Sequence, residues 1–305
     1  MKHALFAISL LFTSLASAQD NVHTADSLKA EGDLMNALEH YGMAFMESPE
    51  SPIAYRIAAT CALLWTRQMR DTAFYFLNIG LQQDSSLEVL YDPEMMSLIE
   101  DPKWTGIEEN QIRKYEAKNG IIPNAYYARQ LFRMIIRDQG FMYAGNIERR
   151  KYLLNGGRFE TPAIFPVLAM EERNLQVNET RLLQLLDTFG WPKTSQVTEY
   201  AAAGAALIIN HGSHALRAKY FPMLEKAFQE GEAQPLRYAK MKDRLLVEED
   251  QKQLYGTQIR FDELQKVPYP IADPELVDQR RASIGLGPLA PYLKERFGIE
   301  WKPGK

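Results

Sequence analysis

The chain has 305 residues, 46% of them hydrophobic, and its 35 Lys and Arg against 39 Asp and Glu leave a net charge of −4. With Arg149-Arg150-Lys151 as its tightest cationic cluster, it lacks the basic footprint of a nucleic-acid binder. One cysteine, Cys61, excludes an internal disulfide, so the fold must rest on core burial. That cysteine lies in an apolar stretch at 58–64 and reads as a buried, inert thiol.

The N-terminus follows the order of a secretory signal peptide. Lys2 and His3 precede an apolar run over 4–15, and Ala16-Ser17-Ala18 supplies small residues for cleavage after Ala18. The run is too short to serve as a bilayer anchor. Residues 1–18 are therefore expected to be removed, leaving a periplasmic or secreted chain with no membrane span.

Residues 27–83 carry a helical pattern with a repeat. Ala37, Tyr41, Ala44 and Pro49 place small, large and small residues on one face before a breaker, and Ala73, Leu77 and Gly80 recreate the triplet 36 residues on. Small residues let paired helices approach, the large one fills the groove between them, and proline ends the helix. This spacing resembles the second helix of a tetratricopeptide repeat, with 55–65 as an intervening first helix. Asp92-Pro93 and Asp101-Pro102 each read as a helix opening, with Asp accepting from first-turn amides and Pro needing no donor. Residues 19–110 are thus expected to form tetratricopeptide-like hairpins with capping helices. The resemblance implies a peptide or protein partner on the concave face, although the hairpins could also serve only to pack. Gly120 and Pro123 mark 111–125 as a linker.

Residues 126–305 are expected to form a compact helical domain with few or no short strands, so the fold class is mainly α. Helices are predicted over 126–137, 163–174, 179–189, 199–211, 222–230 and 235–247. Residues 146–166, with Gly156-Gly157 and Pro162, read as a loop-rich insert. Thr194 or Ser195 is expected to cap the Ala-rich helix at 199–211, and strand is confined to the neighbourhood of 258–261.

A set of motifs runs through this half: Gly190-Trp191-Pro192, His211, Asp243-Arg244, Tyr255-Gly256-Thr257-Gln258, Pro270-Ile271-Ala272-Asp273-Pro274, Arg280-Arg281 and Gly285-Leu286-Gly287-Pro288-Leu289. Together they resemble a bacterial family known as a domain of unknown function, and Asp138-Gln139 fits the acidic-Gln pair that opens it. The chain departs from that family at Asn210-His211-Gly212-Ser213, where a carboxylate is expected shortly after the histidine. The resemblance carries no reaction with it.

His211 closes a helix, where the dipole favours a cation and an imidazole can serve as acid or base. Asp243 and Arg244 are adjacent on a helix and point apart, so one could reach His211 while Arg244 holds an anion. These three are the candidate catalytic residues, and a structural histidine and an interhelix salt bridge are the alternatives. Trp191, Gln253, Tyr255, Thr257 and Gln258 are the candidate ligand-binding residues, in a polar uncharged loop that could equally bond its own backbone. His211 and His214 lack a third metal ligand nearby, so neither a metal nor a cofactor is expected. Phosphate-loop, nucleophile-elbow, zincin and dinucleotide motifs are missing. Two functions remain: an exported binding protein, or an enzyme (a hydrolase or transferase) centred on His211 with Arg244 and the 255–258 loop.

Overall fold

In the computed structural model the described residues are 2–156, 164–262 and 265–302, side chains of 2–16 and 164–166 excepted. They are mainly α-helical, with one two-stranded sheet. The chain divides into two compact units, residues 1–121 with 135–174 and residues 122–134 with 175–305.

The first unit opens with two helical hairpins. α1 (Lys2–Glu31) packs along α2 (Leu34–Glu47), and α3 (Ser51–Leu63) packs along α4 (Arg67–Gly80), with α2 against α3 joining the pairs. Among the described residues no helix is long and apolar enough to cross a membrane. Asp33 caps α2 by accepting from the Asn36 N–H at 3.3 Å, and Thr66 caps α4 by accepting from Met69 at 3.2 Å. Ala37, Tyr41 and Ala44 are fully buried, as are Ala73 and Leu77. Gly80 completes the second triplet for a steric reason: a Cβ there would lie 2.9 Å from the Tyr55 backbone nitrogen. The Tyr41 hydroxyl donates to Asp26, which also pairs with Arg56 at 3.2 Å.

A capping segment follows, with 3₁₀ turns at Glu88–Leu90 and Pro93–Ser97 before α5 (Pro102–Asn119). Both Asp-Pro openings form as read, Asp92 accepting from Glu94 at 2.9 Å and Asp101 from Lys103 at 3.0 Å. The segment packs on α3 and the end of α1 through Tyr55 to Asp92 (2.5 Å), Lys29 to Glu94 (2.6 Å) and the Ser97 hydroxyl to the Ala62 carbonyl (2.7 Å). The chain itself thus covers that side of the hairpins.

Two expectations change here. The stretch at 111–125, read as linker, is helical through Asn119 because Trp104, Ile107, Gln111 and Ile112 form a buried stripe in α5. Gln111 belongs to the stripe because its amide donates to the Asp84 and Ser86 carbonyls at 3.2 and 2.9 Å. Only 120–124 remain outside helices before α6 (Ala125–Gln139). The insert at 146–166 is helical in its first part: α7 (Met142–Leu154) is held by Tyr143, whose hydroxyl donates to the Lys29 carbonyl at 2.6 Å. Gly157, Pro162 and Ala163 lie outside the described residues. The helices expected at 163–174 and 179–189 form one, α8 (Ile164–Phe189).

The second unit is built around α10 (Glu199–His211), whose Ala201, Ala202, Ala203, Ala205, Ala206, Ile208 and Ile209 are all buried. Such a helix, apolar all round, belongs inside a bundle. α11 (His214–Gln229) and α12 (Pro235–Glu248) pack against it. Thr194 and Ser195 do not cap it, because they lie inside a separate single turn, α9 (Thr194–Val197), where Ser195 bonds Glu232. Thr198, at φ +85°, makes the corner between α9 and α10. After α12 come the antiparallel hairpin β1 (Ile259–Asp262) and β2 (Gln265–Pro268), then α13 (Val277–Ser283) and α14 (Leu289–Phe297). Asp273 precedes a 3₁₀ turn at Pro274–Leu276 in a left-handed conformation and gives no side-chain cap, unlike Asp92 and Asp101.

Gly80→Ala is expected to destabilise the chain by about 1–3 kcal/mol, because α3 backbone cannot yield to the added methyl. Urea unfolding of the variant against the parent chain measures it.

Candidate functional site

The signature residues of the second unit meet where the 253–258 loop folds back over α12. Asp243 is fully buried on that helix. Its Oδ1 accepts from the backbone N–H groups of Leu254 at 2.8 Å and Tyr255 at 3.0 Å, and its Oδ2 from the N–H and the hydroxyl of Thr257, both at 2.9 Å. Burial pushes this carboxyl above its ordinary range, and the donors from Thr257, Tyr255 and Leu254 pull it back. Gln253, also fully buried, donates to the Gln258 and Tyr269 carbonyls at 3.0 and 2.8 Å and accepts from the Gln258 N–H at 2.8 Å. Gln258 in turn donates to the Lys240 carbonyl and to the Thr257 hydroxyl, each at 3.1 Å. Gly256 sits at φ +73°, and a Cβ on it would fall 2.6 Å from Leu289.

The carbonyls of the same loop are met by arginines. Arg281, 2% exposed, donates to the Tyr255 carbonyl at 2.7 Å and the Gly287 carbonyl at 2.6 Å, and stacks over the Tyr292 ring at 4.8 Å. Arg280 donates to the Leu254 carbonyl at 3.0 Å and also to Ala272 and Asp273. Asp278 accepts from the Leu289 N–H at 2.8 Å. The structure therefore brings Asp243, Gln253, Tyr255, Thr257 and Gln258 together; the side chains of all but Tyr255 turn on one another and on backbone, and the Tyr255 hydroxyl pairs with Tyr238. Trp191 does not join them in these contacts. It is 7% exposed with its indole N–H buried and without a hydrogen-bond partner, following Gly190, whose carbonyl accepts from Tyr127.

His211 and Arg244 belong to a different neighbourhood, at the end of α10. His211 is exposed. The cation that closes this helix is Arg217, which donates to the carbonyls of Asn210 (2.9 Å) and Gly212. Arg217 also grips both oxygens of Glu248, one of them at 3.0 Å. His214 Nδ1 lies 3.1 Å from the same carboxylate, and Arg244 reaches it at 3.4 Å across one helical turn. Arg244 thus pairs along its own helix with Glu248 rather than with Asp243. Burial works against the Glu248 carboxylate, and the bonds from Arg217, His214 and Arg244 outweigh it, holding it below its ordinary range. Arg217 and Glu248 were not among the sequence candidates. A signal existed: Arg217 shares the buried face of α11 with Tyr220, Phe221 and Leu224, where an unpaired guanidinium would be prohibitively costly.

Chemically, the loop cluster is a closed clamp, whereas the α10 end presents His211, His214 and Arg244 at a surface. Among the described residues no three His, Cys, Asp or Glu side chains are grouped to hold a metal ion. Replacing Asp243 by Asn or Ala leaves buried N–H groups without an acceptor, and either is expected to cost about 3–5 kcal/mol in urea unfolding. Glu248 gives a pH dependence of known sign. A carboxyl lowered in the folded state contributes stability at neutral pH, and that contribution is lost as pH falls through its folded value. The acid limb of a stability-pH curve should therefore be shallower in Glu248→Gln than in the parent chain.

A model for a family of unknown function, DUF6624, matches residues 141–300. No curated protein and no solved structure matches the chain significantly. The matched stretch covers just over half of the 305 residues and contains every motif of the loop clamp and the α10 end. The chain belongs to this family of unknown function.

Proposed function

We propose that this chain is an exported binding protein without catalytic activity, its helical hairpins taking a protein or peptide partner and its second unit offering the α10 end to a polar ligand or second partner. One observation carries the reading: the side chains of Asp243, Gln253, Thr257 and Gln258 are spent on one another and on the chain's own backbone. A hydrolase or transferase centred on His211 would need Asp243, Thr257 and Gln258 open to substrate, and each is bonded internally. Export is supported by the order of basic, apolar and small residues up to Ala18.

The test is an in-cell photo-cross-link from a reactive residue at exposed Met35, with the mass of the mature chain read from the same sample. A discrete protein adduct that persists in His211→Ala, on a chain beginning at Gln19, is the expected result. Turnover of an ester, amide or phosphoryl substrate that disappears in His211→Ala would overturn the reading in favour of an enzyme.

A further inference from the structure

Resting on that binding reading, we infer that the groove between α2 and α4 receives an amphipathic partner segment with an apolar face and a basic flank. The groove, of about 550 Å³, is walled by Met35, Leu38 and Gly42 on one side and Met69 and Phe76 on the other, with Cys61 at its floor. That volume accommodates a few large apolar side chains of a docked helix. It lies on the side of the hairpins away from the contacts that the Asp92–Ser97 segment makes with Lys29, Tyr55 and Ala62.

Gly42 is the observation that points to an occupant. A glycine inside a helix costs about 0.5–1 kcal/mol against alanine, and close packing is the usual reason to accept it. Gly80 has that reason, but a Cβ at Gly42 would meet nothing within 4 Å. The folded chain does not need glycine there; an incoming side chain does. The walls suit such a guest, because Met35 is 58% exposed and thioether side chains adapt to the shape packed against them. Phe76 of the far wall packs edge to face against Phe45 at 5.4 Å.

Charge decides the guest's chemistry. Glu39 is the ionisable acid lining the groove, and α2 contains no Lys or Arg. Residues 19–80 hold eight Asp and Glu against four Lys and Arg. Two of those cations, Arg67 and Arg70, sit in the first turn of α4. Neither lines the groove, whose α4 wall of Met69, Thr72 and Phe76 is uncharged, so the basic flank of the partner faces Glu39 on α2. An acidic flank would meet Glu39 and be disfavoured.

The probes are two peptides of about 18 residues sharing one Leu/Trp apolar face, one with Lys and one with Glu on its polar face, titrated calorimetrically into the chain from Gln19 onward. The Lys peptide is expected to bind about tenfold more tightly than the Glu peptide. Gly42→Leu, which fills the groove without touching the core, should weaken it about tenfold, and Glu39→Lys should erase the preference between peptides. Gly42→Ala should weaken the Lys peptide by a smaller factor than Gly42→Leu while raising Tm, which separates the guest's need for glycine from any need of helix α2. Equal binding of both peptides, or an affinity untouched by Gly42→Leu, overturns the proposal. Self-association abolished by Gly42→Leu would also overturn it, by making the occupant a second copy. If Met35 still cross-links in cells while the peptides bind equally, the basic partner fails and the binding reading stands.

Discussion

Asp243 has no solvent around it, and the loop from 253 to 258 has neither a helix nor a wide sheet to receive its backbone N–H groups. Each problem resolves the other. A buried carboxylate needs several donors to remain tolerable, and a tightly folded loop needs acceptors for amides that no ladder satisfies. The carbonyls on the same loop point the other way and are answered by Arg280 and Arg281. Side chains of opposite charge thus do, for one irregular segment, what a neighbouring strand does for a regular one. The position of α13 and α14 follows, because both arginines come from α13 and the next helix is tied in by Asp278 and by Leu289 against Gly256.

The first unit is held by a different principle. Its hairpins close through the absence of side-chain bulk, Ala37, Ala44, Ala73 and Gly80 letting helix axes approach until Tyr41 and Leu77 fill what remains. Polar bonds such as Tyr41 to Asp26 and Tyr55 to Asp92 then fix register at the edges of a core that already fits. A substitution in this unit is felt as a packing defect, whereas one in the loop clamp is felt as an unmet hydrogen bond.

This difference explains how much could be read from the residues alone. The hairpins were legible because small-large-small spacing is a local, periodic pattern, and Asp92 and Asp101 were legible because a cap acts within its own first turn. The continuation of α5 was hidden by Gln111, whose polar side chain is buried only because two carbonyls about 25 residues earlier await it. The helical character of 146–154 was hidden by glycines further along, and the stop expected between Asn174 and Glu179 was absent. At the candidate site the motifs were visible, but Asp243 was read with His211 and Arg244, whereas the structure sets it against the 253–258 loop. Nothing in an Asp-Arg pair tells which of the two turns inward. Arg217 escaped notice because the carboxylate that makes it tolerable lies 31 residues away on another helix.

The lone thiol gives this chain a built-in clock. Cys61 is 1% exposed at the floor of the α2–α4 groove, and burial pushes its pKa up to about 11. At neutral pH it is protonated and shielded, so an alkylating reagent in solution must wait for α2 and α4 to part before a thiolate can form and react. With no second cysteine to compete, the labelling rate of the whole protein reports the breathing of one groove. Anything seated there slows that rate in proportion to its residence.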